Sequence, residues 1–481
     1  MNSQTPVTAT PAPRSPHAEG HSHSTLKTFP RFLAVVVGTF LLSFLILSLR
    51  NLEPLTYPLI VGEDSFWLGQ MLNHHFLHTA FRGKDFPIVG TVMVQQLAVW
   101  LMYVLPGGLI RLPLALYIVA NSFIATIASI AALSCRNYLP RLVRLCMWAA
   151  VVLMPMGIDG NVTFGRGLNL GFLFPVLQTL LLARMFADRN SRTAATAALI
   201  VSLIAGWTFP VATAITVAAA MLFMHRGPRN ARLSNWRTWA LLLVALISVL
   251  PMRMVSFSQG GAALPYVPAG FVEFALARSI LFPVVAVVYS HLNDPVVIGL
   301  TMAVAFLAGI AWRDLSRTDS DRKRFTLFIV SSFVIYLLAT LVMRKGLTFM
   351  VNGHYGIRYP DHYFYGVNIL AVFTALALLA GNPKPTKWHT LIPAAWAALF
   401  FFQPLFYPSI FELAHPAISW RSHGTWKDEL CATAAGKGAL PIDWQKSVTT
   451  VATYPWEITS HAAIEIPTRM LRRVGASAAC R

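Results

Sequence analysis

Apolar runs of a length near that needed to cross a bilayer recur along this chain, and they constrain its fold more than any other feature. The first, Phe32 to Leu49, follows Lys27 and Arg31 and reads as a signal anchor. Others lie near 112–134, 143–157, 170–187, 194–208, 209–225, 238–254, 293–312, 326–344, 364–381 and 389–407. Crossing the hydrocarbon core of ~30 Å takes about 20 apolar residues, because a helix advances about 1.5 Å per residue. The spans are expected to be helices, since backbone N–H and C=O groups find no water in lipid. Of 481 residues, 56% are hydrophobic and only 12% charged. A soluble core of that size would lack the polar surface to cover it. The expected fold class is therefore all-α and integral to a membrane.

Charge orients the spans. The net charge of +19 would suggest nucleic acid in a soluble protein, but in a membrane protein it is expected to mark cytoplasmic loops. Basic loops occur at Arg136, Arg141 and Arg144; at Arg184, Arg189 and Arg192; and at Arg226, Arg229, Arg232 and Arg237. Two more hold Arg313, Arg317, Arg322, Lys323 and Arg324, and Lys384 and Lys387. All five face one side only if the ambiguous apolar segments 87–106 and 271–290 do not cross completely. These two are expected to be juxtamembrane or re-entrant helices on the outer side. That leaves about eleven transmembrane helices, with the N-terminus cytoplasmic and the C-terminus periplasmic, in the inner (plasma) membrane. Three regions follow: a disordered cytoplasmic tail over 1–26, a polytopic domain over 27–407 with an outer loop at 50–111, and a periplasmic appendage over 408–481.

This topology gathers most of the notable polar residues outside. The first outer loop holds Glu53, Glu63, Asp64, Arg82, Lys84 and Asp85, with His74, His75 and His78. The second contains Asp159 and Arg166, and the loop before the tenth span contains His354, Arg358, Asp361 and His362. Ionisable groups at the edge of hydrocarbon are costly to keep, which makes them functional candidates. No G-x-G-x-x-G after a strand and no Walker A pattern occurs.

The stretch Gly62-Glu63-Asp64-Ser65-Phe66-Trp67, an acidic pair soon after the first span in a long outer loop, resembles the GT-C glycosyltransferases. Leu109-Ile110-Arg111-Leu112-Pro113, the basic turn after the second span and Arg358-Tyr359 heading a late span are similar to bacterial members. The turn between the fifth and sixth spans departs from that pattern, with Gly206-Trp207-Thr208-Phe209-Pro210 where the family usually carries a Lys. The resemblance implies an inverting enzyme that transfers a sugar from a polyprenyl-phosphate donor to a glycan, lipid or protein acceptor. The setting it implies is cell-envelope polysaccharide synthesis, and neither a nucleotide sugar nor nucleic acid takes part.

Such a reaction needs a base for the acceptor hydroxyl and cationic or hydrogen-bonding groups for the leaving phosphate. Asp64 is expected to be the catalytic carboxylate, with Glu63 beside it. Arg358 is expected to bind phosphate bidentately, assisted by His362 or Arg166, with Asp159 as a second carboxylate. Each has a plainer reading. Glu63 and Asp64 suit a helix N-terminus, Arg358 suits snorkelling or pairing with Asp361, and Asp159 suits an Asp-Gly turn. His74 and His78 sit four apart, as metal ligands on a helix do, but without an assured third ligand no metal is assigned. Two other classes compete. An O-antigen-type polymerase would carry a larger Arg-rich outer loop than 255–292, where only Arg278 stands. A transporter or flippase would show charged mid-span residues and internal repeats.

The C-terminal appendage contains Trp420, Trp426, Trp444 and Trp456, which suit interface anchoring or sugar stacking, and a strand-like run from Ser447 to Tyr454. Cys431 and Cys480 fall on the oxidising side and suit a disulfide, whereas Cys135 and Cys146 fall inside and are expected to stay reduced.

Overall fold

The computed structural model describes residues 25–60, 63–82, 87–154, 165–188, 191–224, 236–251, 277–285, 294–316, 320–344, 362–380, 387, 391–398, 424–453 and 463–480. The helices of its N-terminal part are α1 (Thr25–Arg50), α2 (Glu53–Thr56), α3 (Glu63–Leu72), α4 (Phe76–Arg82), α5 (Val89–Val104), α6 (Leu112–Leu133) and α7 (Arg141–Leu153). Then come α8 (Phe174–Ala187), α9 (Arg192–Gly206), α10 (Val211–Met224), α11 (Trp236–Val249), α12 (Asp294–Ser316), α13 (Ser320–Arg344) and α14 (His362–Ala380). The C-terminal part holds α15 (Trp426–Ala434), β1 (Val448–Ala452), β2 (Ala463–Pro467) and α16 (Thr468–Gly475).

Among the described residues, six helical stretches are long and apolar enough to cross a membrane: Leu33–Arg50, Gly108–Leu133, Asn169–Ala187, Pro295–Arg313, Asp321–Leu341 and Tyr363–Ala380. Each coincides with an apolar run of the sequence. The other runs form shorter described helices. α5 has 16 residues, α9 has 15, and α10 and α11 have 14 each. At about 1.5 Å per residue these reach only ~21–24 Å. The second ambiguous segment is described only over Ala277–Val285, a π-helical turn running into a single α-turn.

The bundle packs in chain-local pairs. α6 lies against α1, α5 and α7; α8 lies against α9; α11 lies against α9 and α10; and α13 lies against α10 and α14. Phe186 of α8 stacks on Phe223 of α10 and Phe328 of α13, with ring centroids 3.9 and 5.2 Å apart. Outside this core the surface stays apolar. Leu33, Val35, Val37, Leu41, Leu42, Leu45 and Leu49 of α1 are all exposed, and α12 exposes Met302, Phe306 and Leu307. A water-soluble surface rarely carries contiguous apolar patches of this extent, and lipid removes their cost. The chain is an α-helical membrane protein.

α6 fixes the two poles of the bundle. Its first turn, Leu112 to Leu116, shares a core with α3 and α5. Its C-terminal end meets the basic loop, where Arg144 donates from Nη1 to the Ala132 carbonyl at 2.9 Å. The 22 residues between place the poles ~33 Å apart, about the hydrocarbon thickness.

The C-terminal unit carries a small sheet, with its first strand inside the strand-like run of the sequence. β1 and β2 pair antiparallel, from Val448 opposite Pro467 to Ala452 opposite Ala463. Thr425 and Asp428 form a capping box on α15, and a disulfide joins Cys431 to Cys480. The unit shares one hydrophobic core with α3, α4 and α5, so it lies at the same pole of the bundle as those three helices. Trp426 neither anchors to lipid nor stacks on sugar. It is buried, and its Nε1–H donates to the Leu109 carbonyl at 2.9 Å. Contact with α3 is backbone-close: a Cβ at Gly69 would lie 3.0 Å from the Glu465 nitrogen. Asn73 donates to the Glu465 carbonyl at 3.0 Å.

Candidate functional site

Two of the expected site residues meet at the pole that carries the C-terminal unit. The pattern of α3 explains the first. Trp67, Leu68, Met71 and Leu72 are buried, at the i, i+1, i+4 and i+5 positions of one helical face, while Phe66 is exposed. Asp64 stands three and four residues before Trp67 and Leu68, so the acid continues the apolar stripe into the interior, where it is 1% exposed.

A carboxylate buried so deeply is costly unless donors compensate it. Gln95 of α5 donates from Nε2 to Asp64 Oδ1 at 2.7 Å, and the Gly167 N–H donates to Oδ2 at 3.1 Å. Gln95 is itself fully buried, on the face of α5 that carries Val92, Ala98, Val99 and Met102. The Gln95 side chain and the Gly167 backbone amide thus reach Asp64 from elements far apart in sequence.

The second expected residue is Arg166, immediately before that amide. The residue is 2% exposed, and its Nη1 donates to the Leu59 carbonyl at 2.6 Å. Gly165 and Gly167 flank it because the backbone is threaded between side chains. Gly165 has φ +73°, and a Cβ there would lie 2.3 Å from Tyr117 Cδ2. A Cβ at Gly167 would lie 2.1 Å from Gln95 Nε2 and 3.0 Å from Asp64 Oδ1. Asn121 of α6 fixes this turn further, accepting from the Gly165 N–H at 3.1 Å. Beside it, Tyr117 donates to the Ser48 carbonyl at 3.1 Å.

A ring of buried donors closes the same pole. Arg50, ending α1, donates to the Val152 and Met154 carbonyls, each at 2.6 Å. Tyr365 of α14 donates to the Val151 carbonyl at 2.5 Å, and Tyr336 of α13 to the Phe172 carbonyl at 2.6 Å. These bonds satisfy carbonyls at the end of α7 and in the 3-10 turn Leu168–Leu173, where the helical ladder leaves them unpaired. The turn Gly206-Trp207-Thr208, where the GT-C pattern carries a Lys, caps α5 instead. Gly90 N–H donates to Thr208 Oγ1 at 2.7 Å and Val89 N–H to the Trp207 carbonyl at 3.0 Å.

Of the remaining expected residues, Glu63 opens α3 and His362 opens α14, but their side chains lie outside the described residues. Asp159 and Arg358 lie outside them entirely. The first turn of α14 does stand at this pole, with the Tyr363 ring edge-on to Phe172 at 5.3 Å. His74, two residues beyond α3, adopts a left-handed conformation, φ 63°. Among the described residues no three His, Cys, Asp or Glu side chains come together as a metal site.

Sequence reasoning missed Gln95, Asn121 and Arg50. Gln95 left one signal, as an amide at a helical-stripe position inside an apolar run. The arrangement offers chemistry of one kind: a fixed carboxylate, with a guanidinium on the neighbouring residue of the turn that holds it, at the end of an apolar bundle. No protein family, curated protein or solved structure matches the chain.

Proposed function

We propose that this protein is an inverting membrane glycosyltransferase of the GT-C type, moving a sugar from a polyprenyl-phosphate donor to a cell-envelope glycan, lipid or protein. The observation that carries this reading is the burial of Asp64 between Gln95 and the Gly167 amide, one residue from Arg166. A carboxylate is retained in such a setting at a cost, and the setting fixes its orientation as a general base requires.

In the proposed step the acceptor hydroxyl oxygen attacks the anomeric carbon of the donor sugar and the bond to the phosphate oxygen breaks. The configuration inverts, and the hydroxyl proton passes to Asp64. The departing lipid phosphate takes up the bonding pair. Arg358, with His362 or Arg166, stabilises that charge, and Glu63 and Asp159 border the site. The proposed topology has about eleven spans, with α5 and the 271–290 segment on the outer side, in the inner membrane. It puts the first outer loop and the C-terminal unit in the periplasm together, in keeping with their shared core.

The test is complementation in cells lacking the native protein. Asp64→Asn is expected to reduce the envelope glycan product by about 10²–10⁴-fold in rate, with the protein still inserted at parental levels. Glu63→Gln serves as the neighbouring control. Restoration of the glycan by both variants would overturn the reading.

A further inference from the structure

The opposite pole holds a cavity that the proposed chemistry does not use. Its volume is about 650 Å³, and it opens between α1, the C-terminal end of α6 and the last turn of α8. The wall is built in two layers. Val36, Val37 and Phe40 of α1 face Ile130 and Leu133 of α6 to make an apolar layer. Beyond it lie Ser134, Arg136 and Asn137 from the turn after α6, with Arg184 and Asp188 from α8 and the residue that caps it.

Three observations point to an amphiphilic anion. First, Arg136 and Arg184 are exposed at the mouth, and Arg141 and Arg144 stand behind them in the same basic loop. Asp188 is the one acid in the lining, so the local field is positive. Second, Ser134 lines the cavity at 3% exposure, and its buried Oγ makes no hydrogen bond among the described residues. A buried hydroxyl without a partner is costly, and an acceptor oxygen in the cavity would satisfy it. Third, the apolar layer continues directly into the lipid-facing surface of α1, where Leu33, Val35, Leu41 and Leu42 are exposed. A small soluble anion has no use for that layer. A phospholipid has its phosphate and its chains in this order and at this depth.

We infer that this cavity is a binding site for an anionic phospholipid of the adjacent leaflet, with Arg136 and Arg184 on the headgroup phosphate and an acyl chain laid along α1 and α6. The inference is independent of the glycosyltransferase reading, because the cavity lies at the pole opposite Asp64. Bound lipid would tie α1, which packs mainly on α6, to α8 across the basic turn.

The test uses the full-length protein in detergent micelles, with lipids retained on the protein counted by native mass spectrometry. Three probes are added in turn: phosphatidylglycerol, phosphatidylcholine with the same chains, and inorganic phosphate as competitor. Retention of phosphatidylglycerol over phosphatidylcholine, undisturbed by millimolar phosphate, is expected. The double variant Arg136→Gln/Arg184→Gln should weaken it about tenfold or more. Val36→Trp, which fills the apolar layer and leaves both arginines in place, should weaken it comparably. Arg136→Lys/Arg184→Lys should keep most of it and shows that the pole still folds. Equal retention of phosphatidylcholine, displacement by phosphate alone, or unchanged binding in either the glutamine or the tryptophan variant would each overturn the inference.

Discussion

At the scale of single residues, the candidate site depends on close approach as much as on charge. Gly167 gives its N–H to Asp64 and has no room for a side chain, since a Cβ would meet Gln95 Nε2 at 2.1 Å. Gly167→Ala is therefore expected to push Gln95 aside and uncouple both donors from the carboxylate. Overpacking of this kind costs about 1–3 kcal/mol, which should appear as a lower melting temperature, and under the proposed function the glycan product should fall as expected for Asp64→Asn. A variant as stable and active as the parent would show that the Asp64–Gln95 contact is dispensable. The inward placement of Asp64 is legible in the sequence, because positions 64, 67, 68, 71 and 72 form one helical stripe. That of Gln95 is not. Its partner lies 31 residues away, and no local pattern says which apolar helix a buried amide will face.

At the scale of elements, the capping box on α15 carries a definite pH dependence. The Thr425 backbone N–H, then its hydroxyl, bond the Asp428 carboxylate and hold it below the ordinary carboxylate value. A depressed folded pKa contributes stability that is present above the unfolded value of about 3.9 and is lost as pH falls through the folded value. Asp428→Ala should lower the denaturation midpoint of the C-terminal unit, read from Trp426 fluorescence, by a constant amount between about pH 7 and 5. The gap from the parent should close in more acid solution. A gap that persists undiminished near pH 2 would mean that the carboxylate charge has no part in the cap. The strand over 448–452 and the Cys431–Cys480 disulfide agree with the sequence reading. The role of Trp426 does not, because an aromatic in a polar tail gives no hint of the core it enters when that core belongs to residues some 300 positions earlier.

For the molecule as a whole, the two poles of α6 make the topology testable. Phe66 is exposed beside Asp64, and Arg141 is exposed in the basic loop at the other end. In intact cells an impermeant thiol reagent should label Phe66→Cys, and should reach Arg141→Cys only after permeabilisation. The reverse pattern would invert the proposed orientation. Native cysteines give little background: Cys135 and Cys146 are buried, and burial pushes the Cys135 thiol up to about 12, far from thiolate at neutral pH. Length and hydrophobicity of local segments determined the class of fold, because a helix satisfies its own backbone and its apolar side chains then require lipid whatever the neighbours are. Of the apolar runs they marked as about eleven spans, six are helices long enough to cross among the described residues. Which polar groups meet was decided only by the tertiary structure. The donors to Asp64 come from helix α5 and from the glycine-flanked turn at Gly165–Gly167, and the C-terminal unit returns to seal the same core. Such contacts join residues tens to hundreds apart, where complementary volume and unpaired donors select the partner and sequence periodicity carries no information about the choice.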